Sequence, residues 1–181
     1  MTHSPHWTIL PTAGMTLVVA APAFAVQYFS TEAAQKLMFP EASAFEASPV
    51  RLDDTQRQFV EKAAGVRMRF AEQPVWKVMA GGKVVGWFVL DEVYGKHEFI
   101  TYAVALDASG VVRSVEVLEY RETHGREVIN PRWRAQFVGK RQGATLKLGK
   151  DIQNISGATL SCKHISEGVR RVLAIHEVAL K

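Results

Sequence analysis

The sequence predicts an α+β fold, a mostly antiparallel sheet with helices packed on it, and two patterns carry that reading. Between residues 75 and 118 apolar side chains recur with the period of strands, broken by glycine-containing turns. From residue 160 to 179 the period lengthens to three and four, that of a helix with one apolar stripe. A chain of 181 residues, 48% hydrophobic and 22% charged, is long enough for one well-buried domain and too short for two large ones.

The amino-terminal stretch lies outside that pattern. Residues 2–31 contain no Asp, Glu, Lys or Arg, and residues 15–21 form a short apolar core before Pro22. Ala23-Phe24-Ala25 then supplies the small-x-small pattern of a signal-peptidase site, so residues 1–25 read as a signal peptide on an exported, periplasmic or otherwise extracytoplasmic protein. The alternative is an uncleaved membrane anchor, since about 20 residues can span a bilayer, although Pro11 and Pro22 interrupt the run.

Two short helices follow. Residues 31–39 place Ala34, Leu37 and Met38 on one face and stop at Pro40, and Asp53 with Gln56 forms a capping pair for a second helix that closes at Gly65. Residues 40–49, rich in Ala, Ser and Glu, read as a loop. Residues 75–79 and 84–90 flank Gly81-Gly82 as a hairpin whose second strand is apolar on both faces and therefore buried. Residues 99–106 and 111–118 form the next pair, joined at Gly110; Val115 and Val117 alternate there with Ser114 and Glu116. A helix over residues 131–138 starts at Pro131 and sets Trp133 four positions from Phe137, a spacing that favours core packing. In the terminal helix Ile165, Val169, Val172, Leu173, His176 and Leu180 form the stripe, leaving Lys163, Glu167, Arg170 and Arg171 for water.

Charge and cysteine content narrow the function. The net charge of +4 comes from scattered Lys and Arg, which disfavours nucleic acid as a partner. Cys162 is the only cysteine, so the chain forms no internal disulfide and carries no c-type haem. Cys162-Lys163-His164 lacks a second ligand pair, so Cys162 reads as a packed thiol and no metal site is assigned.

The most informative stretch is Ser156-Gly157-Ala158-Thr159-Leu160-Ser161, where an irregular segment passes into the terminal helix. Free amides and the macrodipole favour an anion at such a terminus, while the same Ser and Thr residues could simply cap the helix. Ser156-Gly157-Ala158-Thr159 resembles the flavinylation motif of the FMN-binding domain family, which includes subunits of sodium-pumping NADH:quinone reductases and Rnf complexes. Residues 94–123 resemble the two central strands of that family and the Glu122-Thr123 pair after them.

The resemblance implies a single FMN-binding-type domain, with helices and first strands in residues 26–93 and the FMN-binding core in residues 94–181. It implies FMN held by Glu122, Thr123, Gly125, Ser156, Gly157, Ala158, Thr159, Leu160 and Ser161, with a covalent phosphoester at Thr159. The ester would be made by an Mg- and FAD-dependent flavin transferase. Two positions depart from the family. After Glu122-Thr123 relatives read Pro-Gly-Leu-Gly, whereas His124-Gly125-Arg126 stands here; and the family's Asp six positions before the modified Thr is Gln153, with Asp151 two residues earlier as a substitute carboxylate for transferase recognition. The expected role is electron transfer between membrane or periplasmic redox proteins, such as cytochromes or quinone-linked reductases, with no side chain acting as acid, base or nucleophile in a substrate reaction. The rival readings are a module that binds flavin or phosphate noncovalently, and a non-redox assembly subunit of a membrane complex.

Overall fold

Apolar residues on both faces of the central strands require the sheet to be covered on both sides. A computed structural model describes residues 26–122 and 124–180. The expected signal peptide lies outside the described residues, as does Thr123. The elements are β1 (Val26–Gln27), α1 (Thr31–Met38), β2 (Ala44–Ala47), α2 (Asp54–Ala64), β3 (Val75–Ala80), β4 (Lys83–Tyr94), β5 (Phe99–Asp107), β6 (Val112–Tyr120), α3 (Pro131–Arg134) and α4 (Thr159–Ala179). Six strands form one antiparallel sheet in the order β1-β6-β5-β4-β3-β2. The fold is therefore α+β, as the two periodicities predict. No helix among the described residues is long and apolar enough to cross a membrane.

One face of the sheet, built from residues such as Trp87, Val89, Tyr102, Val104 and Val115, packs against α4 and α2. The other, with Val78, Phe88, Ala103, Ala105 and Leu118, takes Ala34, Met38 and Phe39 from α1 and the residue after it. Leu37, expected on the inner face of α1, is 53% exposed, and Gln35 is buried instead. The α2 start matches its sequence signal: Gln56 N donates to the Asp53 carboxylate at 2.8 Å and Asp53 N donates back to Gln56 Oε1 at 3.1 Å. Residues 44–47 correct the loop expected there. They pair in register with β3, from Ala44 against Met79 to Ala47 against Trp76. Ala-Phe-Glu-Ala has little strand propensity and is largely exposed, so the open edge of β3, helped by Phe45 packing edge-on against Phe39, makes it a strand.

Two irregularities in the sheet shape its surroundings. β4 runs four residues past the expected end at Leu90 and stays paired to β5 as far as Tyr94 opposite Phe99. That extension carries Asp91 into the interior. On β6, Val117 pairs with Tyr102 and Glu119 with Thr101, so Leu118 is an extra residue in the ladder. The bulge reverses the alternation beyond it. Leu118 faces the α1 side, and Tyr120 joins Val115 and Val117 on the α4 side.

The third helix is shorter than expected. It ends at Arg134 and continues as a 3-10 turn over Ala135–Phe137. Trp133 and Phe137 meet edge-on with ring centroids 5.3 Å apart inside the core, which is the packing role their spacing predicts.

α4 carries the main correction to the helical reading. Its stripe packs as expected, but Arg171 faces inward, with its side chain only 4% exposed. Its Nη2 donates to Asp91 Oδ2 at 2.7 Å and its Nε to the same oxygen at 3.1 Å. Nη1 donates to the carbonyl of Arg67 and Nη2 also to that of Glu92, each at 2.7 Å, and the Tyr102 hydroxyl donates to Asp91 Oδ2 at 2.6 Å. Gly168 lies directly over this cluster, and a Cβ there would run into the Tyr102 hydroxyl. Removing one partner of a buried ion pair leaves the other charge uncompensated. Arg171→Ala is therefore expected to cost about 3–5 kcal/mol, measured as a lower urea midpoint; a loss below about 1 kcal/mol would show that the pair does not hold the helix.

Candidate functional site

α4 begins without a side-chain cap. Its N-cap residue is Ala158, which makes no side-chain cap hydrogen bond, and the first turn contains no acidic residue. The first helical bond runs from Cys162 N to Ala158 O, so the amides of Thr159, Leu160 and Ser161 precede the intrahelical ladder. Plain capping by the Ser and Thr residues, the simpler of the two sequence readings, is thus not what the structure adopts. Gly157 has φ +85°, a conformation that bends the chain into the helix and that a side chain would strain. Ser156, Gly157, Thr159 and Leu160 are exposed, whereas Ala158 and Ser161 are buried.

The helix start forms one wall of a cleft of about 320 Å³. The opposite walls come from Lys96 and His97, in the turn between β4 and β5, and from Glu122 and His124, just past β6. Glu122 is 8% exposed, and its Oε1 accepts the amides of Lys96, His97 (2.6 Å) and Glu98 (3.1 Å). Burial alone would raise the Glu122 pKa; the three amides outweigh it and hold the carboxyl below the usual glutamate range. A Cβ on Gly95 would strike the same carboxylate. Glu122 therefore closes the β4–β5 turn and sets the position of Lys96 and His97.

Tyr120 joins the other two walls. Brought to this face by the bulge at Leu118, its hydroxyl donates to His124 O at 2.6 Å and lies 3.4 Å from Ser161 Oγ. Gly125, at φ +82°, packs where a Cβ would come within 2.8 Å of the Tyr120 hydroxyl and 3.2 Å of Ala158 Cβ. The segment after β6 thus lies directly on the motif at the start of α4. Tyr120, Lys96, His97 and Asn154 were missed by the sequence reading. Asn154 Nδ2 donates to Thr159 Oγ1 at 3.1 Å, a contact that bridges five residues and follows no periodic pattern.

The positions expected for transferase recognition have other contacts. The Asp151 carboxylate accepts the amides of Leu146 (2.8 Å) and Lys147 (2.7 Å), closing a tight loop. Burial opposes its ionisation, and these amides overcome that and lower its pKa. Gln153 is exposed; its carbonyl accepts from Trp133 Nε1 and its amide donates to Gln136 Oε1, both at 2.8 Å. Cys162 is buried beneath the first turn as a free thiol, with its pKa raised by burial.

Comparison with known proteins adds what the chain is similar to. Residues 95–174, just under half of the chain, match the model of the FMN-binding domain. The chain is 26% identical over 157 residues to a subunit of the Na(+)-translocating ferredoxin:NAD(+) oxidoreductase complex of Acetobacterium woodii, covering 80% of this chain and 72% of that one. In structure it is similar to a subunit of the Na(+)-translocating NADH-quinone reductase of Parabacteroides distasonis, with a TM-score of 0.50 at 15% identity over 82% and 83% of the two chains. It is also similar to Shewanella oneidensis NqrC, with a TM-score of 0.46 at 18% identity over 81% and 75%. At these identities the likeness to the Parabacteroides protein establishes a shared fold.

The Glu122 clamp has a direction in pH. Because its folded pKa is depressed, its stabilisation is complete above the ordinary glutamate range, near 4.3, and is lost as pH falls through the folded value. Glu122→Ala is expected to cost about 2 kcal/mol and to abolish hydrogen-exchange protection at Lys96 and His97. In the wild type that protection should fade only on acidification below about pH 4; protection unchanged in the variant would exclude the clamp.

Proposed function

With residues 95–174 identified as an FMN-binding domain, we propose that this chain is an exported electron-transfer flavoprotein carrying FMN as a phosphoester on Thr159. The observation that supports this most strongly is the uncapped start of α4, where the Thr159 hydroxyl is exposed beside free amides at the mouth of a cleft. A phosphate there would take the amides of Leu160 and Ser161 and the positive end of the helix dipole. Gly157 leaves room for its approach. Gly125, Ala158 and Ser161 support the turn that holds it, with Glu122 on the facing segment; Ser156 belongs to the exposed approach, and Thr123 is a contact on the resemblance alone.

Bound FMN would supply one- and two-electron redox chemistry. The chain's own contribution is geometric: α4 carries the proposed attachment point, and the Glu122 and Tyr120 bonds hold the walls of the cleft beside it. The relative that is a subunit of an ion-translocating oxidoreductase complex supports membrane or periplasmic redox proteins as donors and acceptors. An Mg- and FAD-dependent flavin transferase would install the group, and residues 1–25 would direct export, leaving Val26 as the mature amino terminus. One observation favours noncovalent binding as a second reading: Gln153 stands where the family has Asp, and the nearby Asp151 carboxylate is engaged by two backbone amides.

Co-expression with a matching flavin transferase distinguishes the two. Thr159→Ala is expected to remove all flavin fluorescence from denaturing gels while leaving the melting temperature unchanged, since that side chain is exposed. A wild-type chain that loses its flavin on denaturation would establish the noncovalent reading. Cys162→Ser, at a thiol buried away from the cleft, is expected to retain flavin at the wild-type level by intact mass; loss of flavin there would mean that the attachment point is misplaced.

A further inference from the structure

The Thr159 hydroxyl is engaged by a neighbouring side chain, that of Asn154, which donates through Nδ2 to Oγ1 at 3.1 Å. The chain is tied down on both sides of Asn154. The preceding residue, Gln153, is held through both its amide and its carbonyl by Gln136 and Trp133, and beyond it Ala158 N donates to Ile155 O at 3.0 Å. We propose that Asn154 is a positioning residue that orients the Thr159 hydroxyl for esterification and then holds the resulting phosphate. The inference rests on the reading that Thr159 is the flavin acceptor.

The chemistry asks for such a group. A threonine hydroxyl has one proton and two lone pairs. With Asn154 donating to one pair, the other is directed outward for attack, and the O–H proton is left free for a base. In the transfer, Thr159 Oγ1 forms a bond to the flavin-side phosphorus of FAD, the anhydride P–O bond breaks, and AMP departs with the bridging oxygen. The hydroxyl proton goes to the base, a divalent cation neutralises the pyrophosphate, and no oxidation state changes. The ester oxygen that results is a weak acceptor. The Asn154 amide is then free to donate to a non-bridging phosphate oxygen, beside the amides of Leu160 and Ser161. An Asp at the same position would lack the donor and set a carboxylate against the phosphate.

The test uses the purified chain with FAD, Mg²⁺ and a flavin transferase, following covalent flavin over time. Asn154→Ala is expected to lower kcat for loading about tenfold with KM for the chain within about twofold, and Asn154→Asp to lower it at least as far, with both melting temperatures unchanged. In samples loaded to completion, the ³¹P resonance of the phosphodiester should shift in Asn154→Ala and stay in place in a Gln153→Ala control. Wild-type loading rates in Asn154→Asp, or a ³¹P resonance that does not move in Asn154→Ala, would overturn the assignment to Asn154 even where Thr159→Ala is unloaded. A wild-type chain that takes no covalent flavin beside an active transferase would overturn the Thr159 reading, and this inference with it.

Discussion

The buried contact between Arg171 and Asp91 sets the position of α4, and through it the position of everything at the cleft. An apolar stripe fixes which face of a helix turns inward, but smooth side chains resist sliding along the axis only weakly. A guanidinium donating to Asp91 and to the carbonyls of Arg67 and Glu92 is directional, and it ties the helix to the β4 strand and the segment after α2 at one level. Gly168 allows that approach by leaving the Tyr102 hydroxyl uncrowded. Twelve residues back along α4, or about 18 Å at helical rise, lies Thr159. Such a pair contributes little net stability, because desolvation offsets the attraction. Its effect is to make one placement of the helix much better than its neighbours.

The facing walls are located by the same kind of directional contact at smaller scale. Glu122 gathers three amides of the β4–β5 turn, and Tyr120 binds the carbonyl of His124 while lying against Ser161. Both residues stand at the end of β6, within three positions of one another. The bulge at Leu118 makes the arrangement possible, since unbroken alternation would turn Tyr120 toward α1. One extra residue in a strand thus decides whether the loop after it is attached to the start of α4.

A site organised this way suits the proposed role of holding a redox group. Under the proposed reading, a group tied by one bond at Thr159 would take its other contacts from these walls, which are held through backbone amides and carbonyls. At His124-Gly125-Arg126 the walls are carried by backbone: Gly125 has a positive φ and packs where a Cβ would meet Ala158 and the Tyr120 hydroxyl.

The sequence by itself determined the local and periodic features: the capping pair at Asp53 and Gln56, the central strands, the stripe of α4, and the motif around Thr159 with its partner block over residues 94–123. These are legible because each is written within a few residues, as a period, a cap or a contiguous motif. Tertiary structure alone decided that residues 44–47 are a strand, that Arg171 is buried, that Tyr120 faces α4 and that Asn154 reaches Thr159. Each depends on something the local pattern does not contain. An edge awaits a partner, an acid on another strand awaits a base, a bulge changes a parity, and a loop folds back over five residues. Arg171 shows the reason most plainly. Its neighbours on the helix place it among charged residues that belong in water, and only the extension of β4, which brings Asp91 beneath it, makes burial the lower-energy state.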